Sequence, residues 1–190
     1  MNPVPQFRRW YAEARRAKVA ELDAVAVATA DGRGRPSVRY VYVKIVDERG
    51  FVFCTNRTSR KARELDQNPR ASLVYFWHEV GRQVRVTGRV EEISRAEAEA
   101  TWRNREKGHQ LGTLASRQSL PLKRRGELSR RHAELRRIYA TRDVPCPPTW
   151  VGYRVVPDEI EFWQREADRL HARERFARTR GGWRRELLNP

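Results

Sequence analysis

Two cations stand at the start of a segment that is patterned as a short helix. The segment SRKARELDQN begins at Ser59, a residue type that caps helix N-termini, and ends before Asn68 and Pro69, where a helix is expected to stop. Its first turn carries Arg60 and Lys61. Free backbone N–H groups, the helix dipole and two cations favour an anion, which predicts a phosphate site. A solvated helix end is the alternative that the residues alone leave open.

A second polar group lies near the carboxyl end of the chain, just after Trp163. Arg169, His171 and Arg173 are spaced by two, and in an extended segment this spacing places all three on one face. A neutral imidazole between two arginines would suit a phosphorylated or carboxylate substrate. A structural or solvated histidine is the other interpretation.

Gln83 interrupts the apolar strand pattern RQVRV, and a partly buried amide needs hydrogen-bond partners to offset its desolvation. A ligand or a neighbouring strand could supply them.

The sequence shows no Ser-His-Asp order, paired carboxylates, glycine-rich nucleotide loop or metal-ligand cluster. The sequence therefore offers no set of catalytic residues for hydrolysis or for metal catalysis. The residues alone indicate an anion-binding protein.

The elements that would position these residues are mostly strands. Apolar and alternating runs between Ala24 and Glu92 predict a meander of five strands, AVAVATA, SVRYVYVKIV, GFVFCT, ASLVYFW and RQVRVTGRVEEI, interrupted by the helix at Ser59. Further helices are predicted over residues 5–21, from Ser94 with a capping box to Glu97, and around 124–140. A late strand, EIEFW, closes the pattern. The expected fold is mainly β with peripheral helices, a small β-barrel in one domain over residues 1–190.

Composition narrows the class of protein. No apolar run approaches the roughly 20 residues of a membrane-spanning helix, and the amino terminus lacks a signal-peptide pattern, which predicts a cytoplasmic protein. Cys54 and Cys146 lack metal-ligand spacing and are expected to be reduced thiols.

The net charge of +16 would suit nucleic acid, but only five of the 40 basic residues are lysine. This bias indicates a coding preference for arginine, so nucleic acid is discounted and a phosphorylated small substrate is retained.

Five motifs in one order resemble pyridoxine 5'-phosphate oxidases: RYVYVK (39–44), FCTNRTSRKARELDQNPRASL (53–73), RQVRVTGRVE (82–91), SRQS (116–119), and EFWQ followed by RLHAR (161–173). The resemblance runs from about Asn2 to Pro190. It implies an FMN-binding split β-barrel that works as a homodimer with active sites between the subunits. It also implies that FMN is held, in part from the opposite subunit, by Arg39, Tyr40, Val41, Tyr42, Val43, Lys44, Cys54, Thr55, Arg60, Lys61, Gln83, Gln118, Ser119, Trp163 and Arg173.

On the substrate side, the resemblance implies that cations grip a phosphate and that a catalytic arginine–histidine pair lies over the substrate ring. These positions are Lys44, Arg105, His109, Arg169 and His171, the last two being the catalytic pair. The chain departs from the family pattern at several places. Thr101 stands where a phosphate-binding tyrosine is usual, His109 where serine is usual, Arg165 replaces a glycine and Ala172 an aspartate. NREKGHQLG replaces an arginine-proline-rich loop, and the basic N-terminal segment of familiar members has no counterpart.

The resemblance implies oxidation of pyridoxine or pyridoxamine 5'-phosphate to pyridoxal 5'-phosphate, with hydride passing to FMN and molecular oxygen reoxidising the flavin. The departures at Thr101 and His109 motivate an alternative, a biosynthetic relative that oxidises another ring, as phenazine-pathway members do. A third hypothesis, from the +16 charge, is a non-catalytic module that binds flavin or nucleic acid.

Overall fold

Eight antiparallel strands form one sheet, six of which close into a barrel. The computed structural model describes residues 2–190. The strands are β1 (Ala24–Ala30), β2 (Pro36–Asp47), β3 (Gly50–Asn56), β4 (Arg70–Trp77), β5 (Arg82–Glu92), β6 (Trp150–Gln164), β7 (Ala172–Thr179) and β8 (Gly182–Leu188). Their order is β3-β2-β1-β4-β5-β6-β7-β8, and β3 also pairs with β6, which closes the barrel.

Five α-helices surround the barrel: α1 (Val4–Arg16), α2 (Arg60–Gln67), α3 (Arg95–Arg103), α4 (Lys107–Ala115) and α5 (Arg125–Ile138). Short 3-10 turns span His78–Val80 and Ala167–Arg169. Among residues 2–190, none of the helices combines the length and the apolar character that crossing a bilayer requires.

The barrel core follows from the two-residue period of the strands. In β1 the side chains of Val25 and Val27 are fully buried, while the alternate alanines lie on the outer face. Helix α1 covers the core with Phe7, whose ring meets Phe51 edge-on at 5.1 Å. A second, smaller core lies under α3 and α4 and is built around Trp102 and Trp150.

The expected fold class, mainly β with peripheral helices and a barrel, is confirmed, but the predicted meander is wrong. Strand β4 pairs with β1 and not with β3, because α2 carries the chain across the barrel between them. The predicted strand EIEFW is only the end of β6, which is 15 residues long. The capping box is confirmed, since the Ser94 side chain accepts from the Glu97 N–H and the Glu97 carboxylate accepts from the Ser94 N–H.

Three other local predictions need correction. Helix α1 ends at Arg16 and not near residue 21, because Lys18 and Glu21 adopt left-handed φ angles of 53° and 50°. The segment NREKGHQLG contains most of α4 and is not a loop. Arg169 does not share an extended face with His171, since it ends a 3-10 turn with a φ of 61° and β7 begins only at Ala172.

Candidate active site

The amino-terminal end of α2 gathers several of the predicted phosphate ligands. Ser59 caps the helix, its Oγ accepting from the Ala62 N–H at 3.3 Å. Lys61 is only 6% exposed, and its Nζ donates to the Thr55 Oγ1 at 3.1 Å. Burial, reinforced by repulsion from Arg39, lowers the pKa of Lys61 to about 8. A buried ammonium with one neutral hydroxyl partner is poised to receive an anion.

Glu64, which the sequence analysis did not single out, connects this helix to the barrel. Its buried carboxylate accepts hydrogen bonds from Thr29, Ser37, Arg39 and Arg60. Burial alone would raise the pKa of Glu64, but these hydrogen bonds together lower it to about 2. The carboxylate therefore stays ionised and fixes the guanidinium groups of Arg39 and Arg60. Its position four residues after Arg60 on a helix was a signal available in the sequence.

The SRQS segment folds back onto the same helix end. Gln118 Oε1 accepts from the Thr55 hydroxyl at 3.1 Å and from the Asn56 N–H at 3.3 Å. The Ser119 hydroxyl accepts from the Arg60 N–H at 3.1 Å. Residues that are nearly 60 positions apart thus meet at the start of α2 within one chain.

Strand β2 carries the RYVYVK motif past this helix end. Val43 is buried in the barrel and Val41 is half-buried, while Tyr40 and Tyr42 point outward and are 76% and 58% exposed. Lys44 lies at an irregularity where the pairing with β3 shifts register between Val43 and Ile45. Bulges of this kind redirect a side chain, and the exposed Lys44 forms no ion pair with any residue of 2–190.

Arg105 lies beside Cys54, in the gap between α3 and α4. Burial lowers the pKa of the Arg105 guanidinium, although the thiol of Cys54 works in the opposite direction. The Cys54 Sγ lies 3.2 Å from the Thr101 hydroxyl, and burial raises the pKa of the thiol. His109 is exposed on the first turn of α4, with its Nε2 4.0 Å from the Glu106 carboxylate. Contacts at the helix end join Arg39, Thr55, Arg60, Lys61, Gln118 and Ser119, whereas Cys54, Arg105 and His109 form a separate group beside Thr101. Together with Lys44 on β2, we refer to these ten residues as the α2 cluster.

Five further predicted residues form a β6 cluster: Gln83, Trp163, Arg169, His171 and Arg173. Gln83, Trp163 and Arg173 stand side by side in the register of β5, β6 and β7. The His171 ring lies 4.6 Å from the Trp163 ring, and its Nδ1 accepts from the Glu166 N–H at 3.2 Å. Arg173 is held by the Glu161 carboxylate at 2.9 Å, and Arg169 is exposed.

The two clusters lie apart on one barrel. Strands β2 and β5 are three strands apart whichever way the barrel is followed, and β3 pairs directly with β6. In that pairing Cys54 and Thr55 face Gly152 and Val151, at the opposite end of β6 from Trp163 and about 35 Å from it along the strand. The predicted site residues therefore fall into two separate groups, which we call half-sites.

The chain matches two family descriptions along most of its length. Residues 11–139 match Pyridoxamine 5'-phosphate oxidase, and residues 150–190 match the Pyridoxine 5'-phosphate oxidase C-terminal dimerisation region. A pyridoxine/pyridoxamine 5'-phosphate oxidase of Rubrobacter xylanophilus is 51% identical over 189 residues, covering 100% of this chain and 87% of the relative. A protein of the same name from Myxococcus xanthus is 47% identical, covering 100% of this chain and 92% of the relative.

Two solved structures share the architecture over the whole chain. PhzG from Burkholderia lata 383, in complex with tetrahydrophenazine-1-carboxylic acid, is similar with a TM-score of 0.95 at 38% identity, covering 100% of this chain and 93% of that one. A pyridoxamine 5'-phosphate oxidase-related, FMN binding protein from Nostoc punctiforme has a TM-score of 0.81 at 18% identity, covering 100% and 99%. The second likeness shows a shared fold alone.

Proposed function

The chain belongs to the pyridoxamine 5'-phosphate oxidase family, and from this membership we propose that it is an FMN-dependent oxidase of pyridoxine or pyridoxamine 5'-phosphate. The product is pyridoxal 5'-phosphate and the electron acceptor is molecular oxygen. The observation that carries the proposal is the α2 cluster, whose buried Lys61 faces no carboxylate of residues 2–190 at hydrogen-bond distance. The half-buried thiols of Cys54 and Cys146 suit a reducing compartment, and we place the enzyme in the cytoplasm.

The α2 cluster fits the phosphate of FMN. Arg39, Arg60 and Lys61 supply three positive charges around the helix end, and Glu64 offsets only one of them. Two backbone N–H groups of the first turn already donate to Ser119 and Ser59, so the side-chain cations and the helix dipole are what favour an anion there. Arg39, Lys61, Thr55, Gln118 and Ser119 would hold the phosphate and ribityl end of FMN.

A homodimer would join the two half-sites. Val38, Tyr40, Tyr42 and Phe76 form an apolar surface on the outer faces of β2 and β4, each at least half exposed in the single chain. Such a surface is unusual on a monomer and suits a second copy of the chain. If this face meets its equivalent, the partner's β6 cluster completes the site that the α2 cluster begins. The match of residues 150–190 to a dimerisation region supports this arrangement.

Within the completed site, the side chains bind and orient the substrate. Lys44 and Arg105 hold its anionic group, and Arg169 and His171 approach its ring from the partner. Because His171 Nδ1 accepts from the Glu166 N–H, the neutral imidazole carries its proton on Nε2 and can donate it to the substrate. When bound, FMN would supply the redox chemistry, which is the transfer of two electrons from the substrate to oxygen. The residues contribute positioning, and Trp163 helps to exclude water beside His171.

Turnover in air tests this proposal directly. Purified protein loaded with FMN is mixed with pyridoxine or pyridoxamine 5'-phosphate, and pyridoxal 5'-phosphate and hydrogen peroxide are followed together. We expect equimolar formation of both products, abolished by Arg169→Ala with FMN still bound. If neither substrate yields pyridoxal 5'-phosphate, the proposal is contradicted.

A second candidate is oxidation of another ring substrate that carries a carboxylate. It is favoured by the similarity to PhzG across the whole chain and by Thr101, whose hydroxyl bonds within the protein. Anaerobic bleaching of the flavin by a panel of reduced ring carboxylates distinguishes the two. Bleaching by such compounds, without bleaching by the phosphorylated vitamers, would favour this candidate.

A further inference from the structure

Arg105 is a partly buried cation that lies against an aromatic ring and not beside a carboxylate. Its guanidinium carbon is 4.5 Å from the ring centre of Trp150. The Nε atom is fully buried without a hydrogen-bond partner, and Nη2 makes only long contacts, 3.4 Å to the Thr113 Oγ1 and 3.5 Å to the His109 carbonyl. Among residues 2–190 no carboxylate pairs with it. A desolvated cation with unfilled donors indicates an anion that comes from outside the chain.

Thr101 has no hydrogen-bonding capacity left for that anion. Its hydroxyl donates to the Ala98 carbonyl at 2.7 Å and accepts from the Trp150 Nε1 at 3.2 Å. The Cys54 Sγ, 3.2 Å away, is a partner for the remaining lone pair. A hydroxyl has one donor and two acceptor sites, so all three are used. Thr101 therefore cannot donate to a substrate anion, although it occupies the position of a phosphate-binding tyrosine in similar proteins.

The Trp150 indole is fixed on each of its sides. Its nitrogen is held by Thr101, its edge meets the Trp102 ring at 5.3 Å, and its face carries Arg105. Trp102 is in turn fixed, because its Nε1 donates to the Val144 carbonyl at 2.9 Å. Trp150 is 4% exposed, so it lies behind Arg105 and does not itself reach the ligand.

We propose that Trp150 is a positioning residue for substrate recognition: its indole, held by Thr101, supports the Arg105 guanidinium so that the Nη donors face the substrate anion, while Nε stays buried. This inference rests on the assignment of Arg105 to the substrate anion in the proposed function. A planar guanidinium on an aromatic support presents a rigid fork that suits bidentate contact with a phosphate or carboxylate. The chain thus lacks the tyrosine hydroxyl and relies on a preorganised arginine.

The test measures how much the anionic group contributes to binding, independently of turnover. The FMN-loaded protein is titrated with 4-deoxypyridoxine 5'-phosphate and with 4-deoxypyridoxine, which lack the oxidisable group. The ratio of the two dissociation constants reports the contact to the phosphate. We expect Arg105→Ala to remove most of this preference and Trp150→Leu to reduce it about tenfold, the scale of a desolvated cation–π contact. Trp150→Leu in an Arg105→Ala background should change nothing further.

Thr101 supplies the matched pair of variants. Thr101→Val removes the hydroxyl at constant shape and should reduce the preference about threefold, the scale of one hydrogen bond at the low end of its range. Thr101→Ser keeps the hydroxyl and should match the parent. FMN content and melting temperature are measured for every variant, and the Thr101 pair decides the matter if Trp150→Leu does not fold.

Three results would overturn the inference. The first is a parent protein that binds both analogues equally, and the second is an equal effect of Trp150→Leu with and without Arg105. The third is an unchanged preference in Thr101→Val. Failure of turnover with normal discrimination between the analogues would instead count against the proposed function alone.

Discussion

At the scale of single residues, the site depends on charges held in unusual surroundings. Lys61 is buried beside Thr55 with its pKa lowered to about 8, whereas Glu64 is buried among four donors with its pKa lowered to about 2. An added anion would stabilise the charged form of Lys61, whereas the Glu64 carboxylate already has its hydrogen-bond donors. Lys61 was predictable from the sequence because Ser59, Arg60 and Lys61 are adjacent in the chain. For Glu64 only the spacing to Arg60 was visible, because two of its other partners, Thr29 and Ser37, reach it through the pairing of β1 with β2.

The lowered pKa of Lys61 predicts how FMN affinity depends on pH. The phosphate of FMN is fully ionised above pH 7 and favours the charged ammonium. Below pH 8 Lys61 is already protonated in the free protein, so this residue leaves the affinity constant. Above pH 8 binding must take up a proton, and the dissociation constant should rise about tenfold per pH unit. Quenching of FMN fluorescence between pH 7 and 9.5 measures it.

Lys61→Met provides the control for this titration. It should bind FMN weakly, with a dissociation constant that does not change over the same pH range. A parent protein whose affinity is constant from pH 7 to 9.5 would show that Lys61 does not contact the phosphate.

At the scale of elements, local patterns predicted the first five strands well, missed β7, β8 and most of β6, and predicted the pairing poorly. Alternation in AVAVATA and the capping pattern at Ser94 are local signals, and the structure has both elements. The pairing of β4 with β1 depends on contacts across more than 40 residues, which no local pattern contains. Helix α4 was missed because Gly108 and Gly112 lower its helix propensity. The prediction that Arg169 shares a face with His171 was wrong because residues spaced by two share a face only in an extended chain, and Arg169 lies in a 3-10 turn.

Gly88 marks the point where the β5–β6 pairing shifts register, and its replacement tests the barrel. A Cβ at Gly88 would lie 2.0 Å from the Val156 carbonyl oxygen, which belongs to the backbone and cannot rotate away. Gly88→Ala should therefore lower the free energy of unfolding by about 3 kcal/mol, at the upper end for overpacking. Gly126→Ala is the control, since a Cβ there meets no atom within 4 Å. Urea denaturation of both variants checks this, and equal stability would refute the close packing.

At the scale of the whole molecule, the separation of the two half-sites within one chain is the central feature. The apolar face of β2 and β4 is half exposed in one chain, and the C-terminal region matches a dimerisation region. The net charge of +16 is spread over the chain, and many of its arginines pair with carboxylates, as Arg154 does with Asp47 at 2.5 Å. The positive charge is therefore a general property of the surface, whereas the two half-sites indicate the function.

Phe76→Glu tests the proposed dimer face. Phe76 is 52% exposed on β4, which lies between β1 and β5. In a dimer through this face, a carboxylate at position 76 would lose its hydration without gaining a cation or hydrogen-bond donor. We expect a folded monomer that has lost FMN. Ile138→Glu, on α5 and 43% exposed, should remain a dimer with FMN bound. Sedimentation velocity with absorbance at flavin wavelengths measures both, and a dimeric, yellow Phe76→Glu protein would rule out this face.

Subunit mixing tests the central claim most directly, namely that pyridoxine 5'-phosphate is oxidised at a site built from two chains. Arg105→Ala disables the α2 cluster and His171→Ala the β6 cluster, so each homodimer should be inactive. Random co-assembly produces heterodimers with one intact site, and pyridoxal 5'-phosphate formation should recover to about a quarter of the parent rate. Recovery of that size is the predicted result. A mixture no more active than the two variants measured separately would contradict the account.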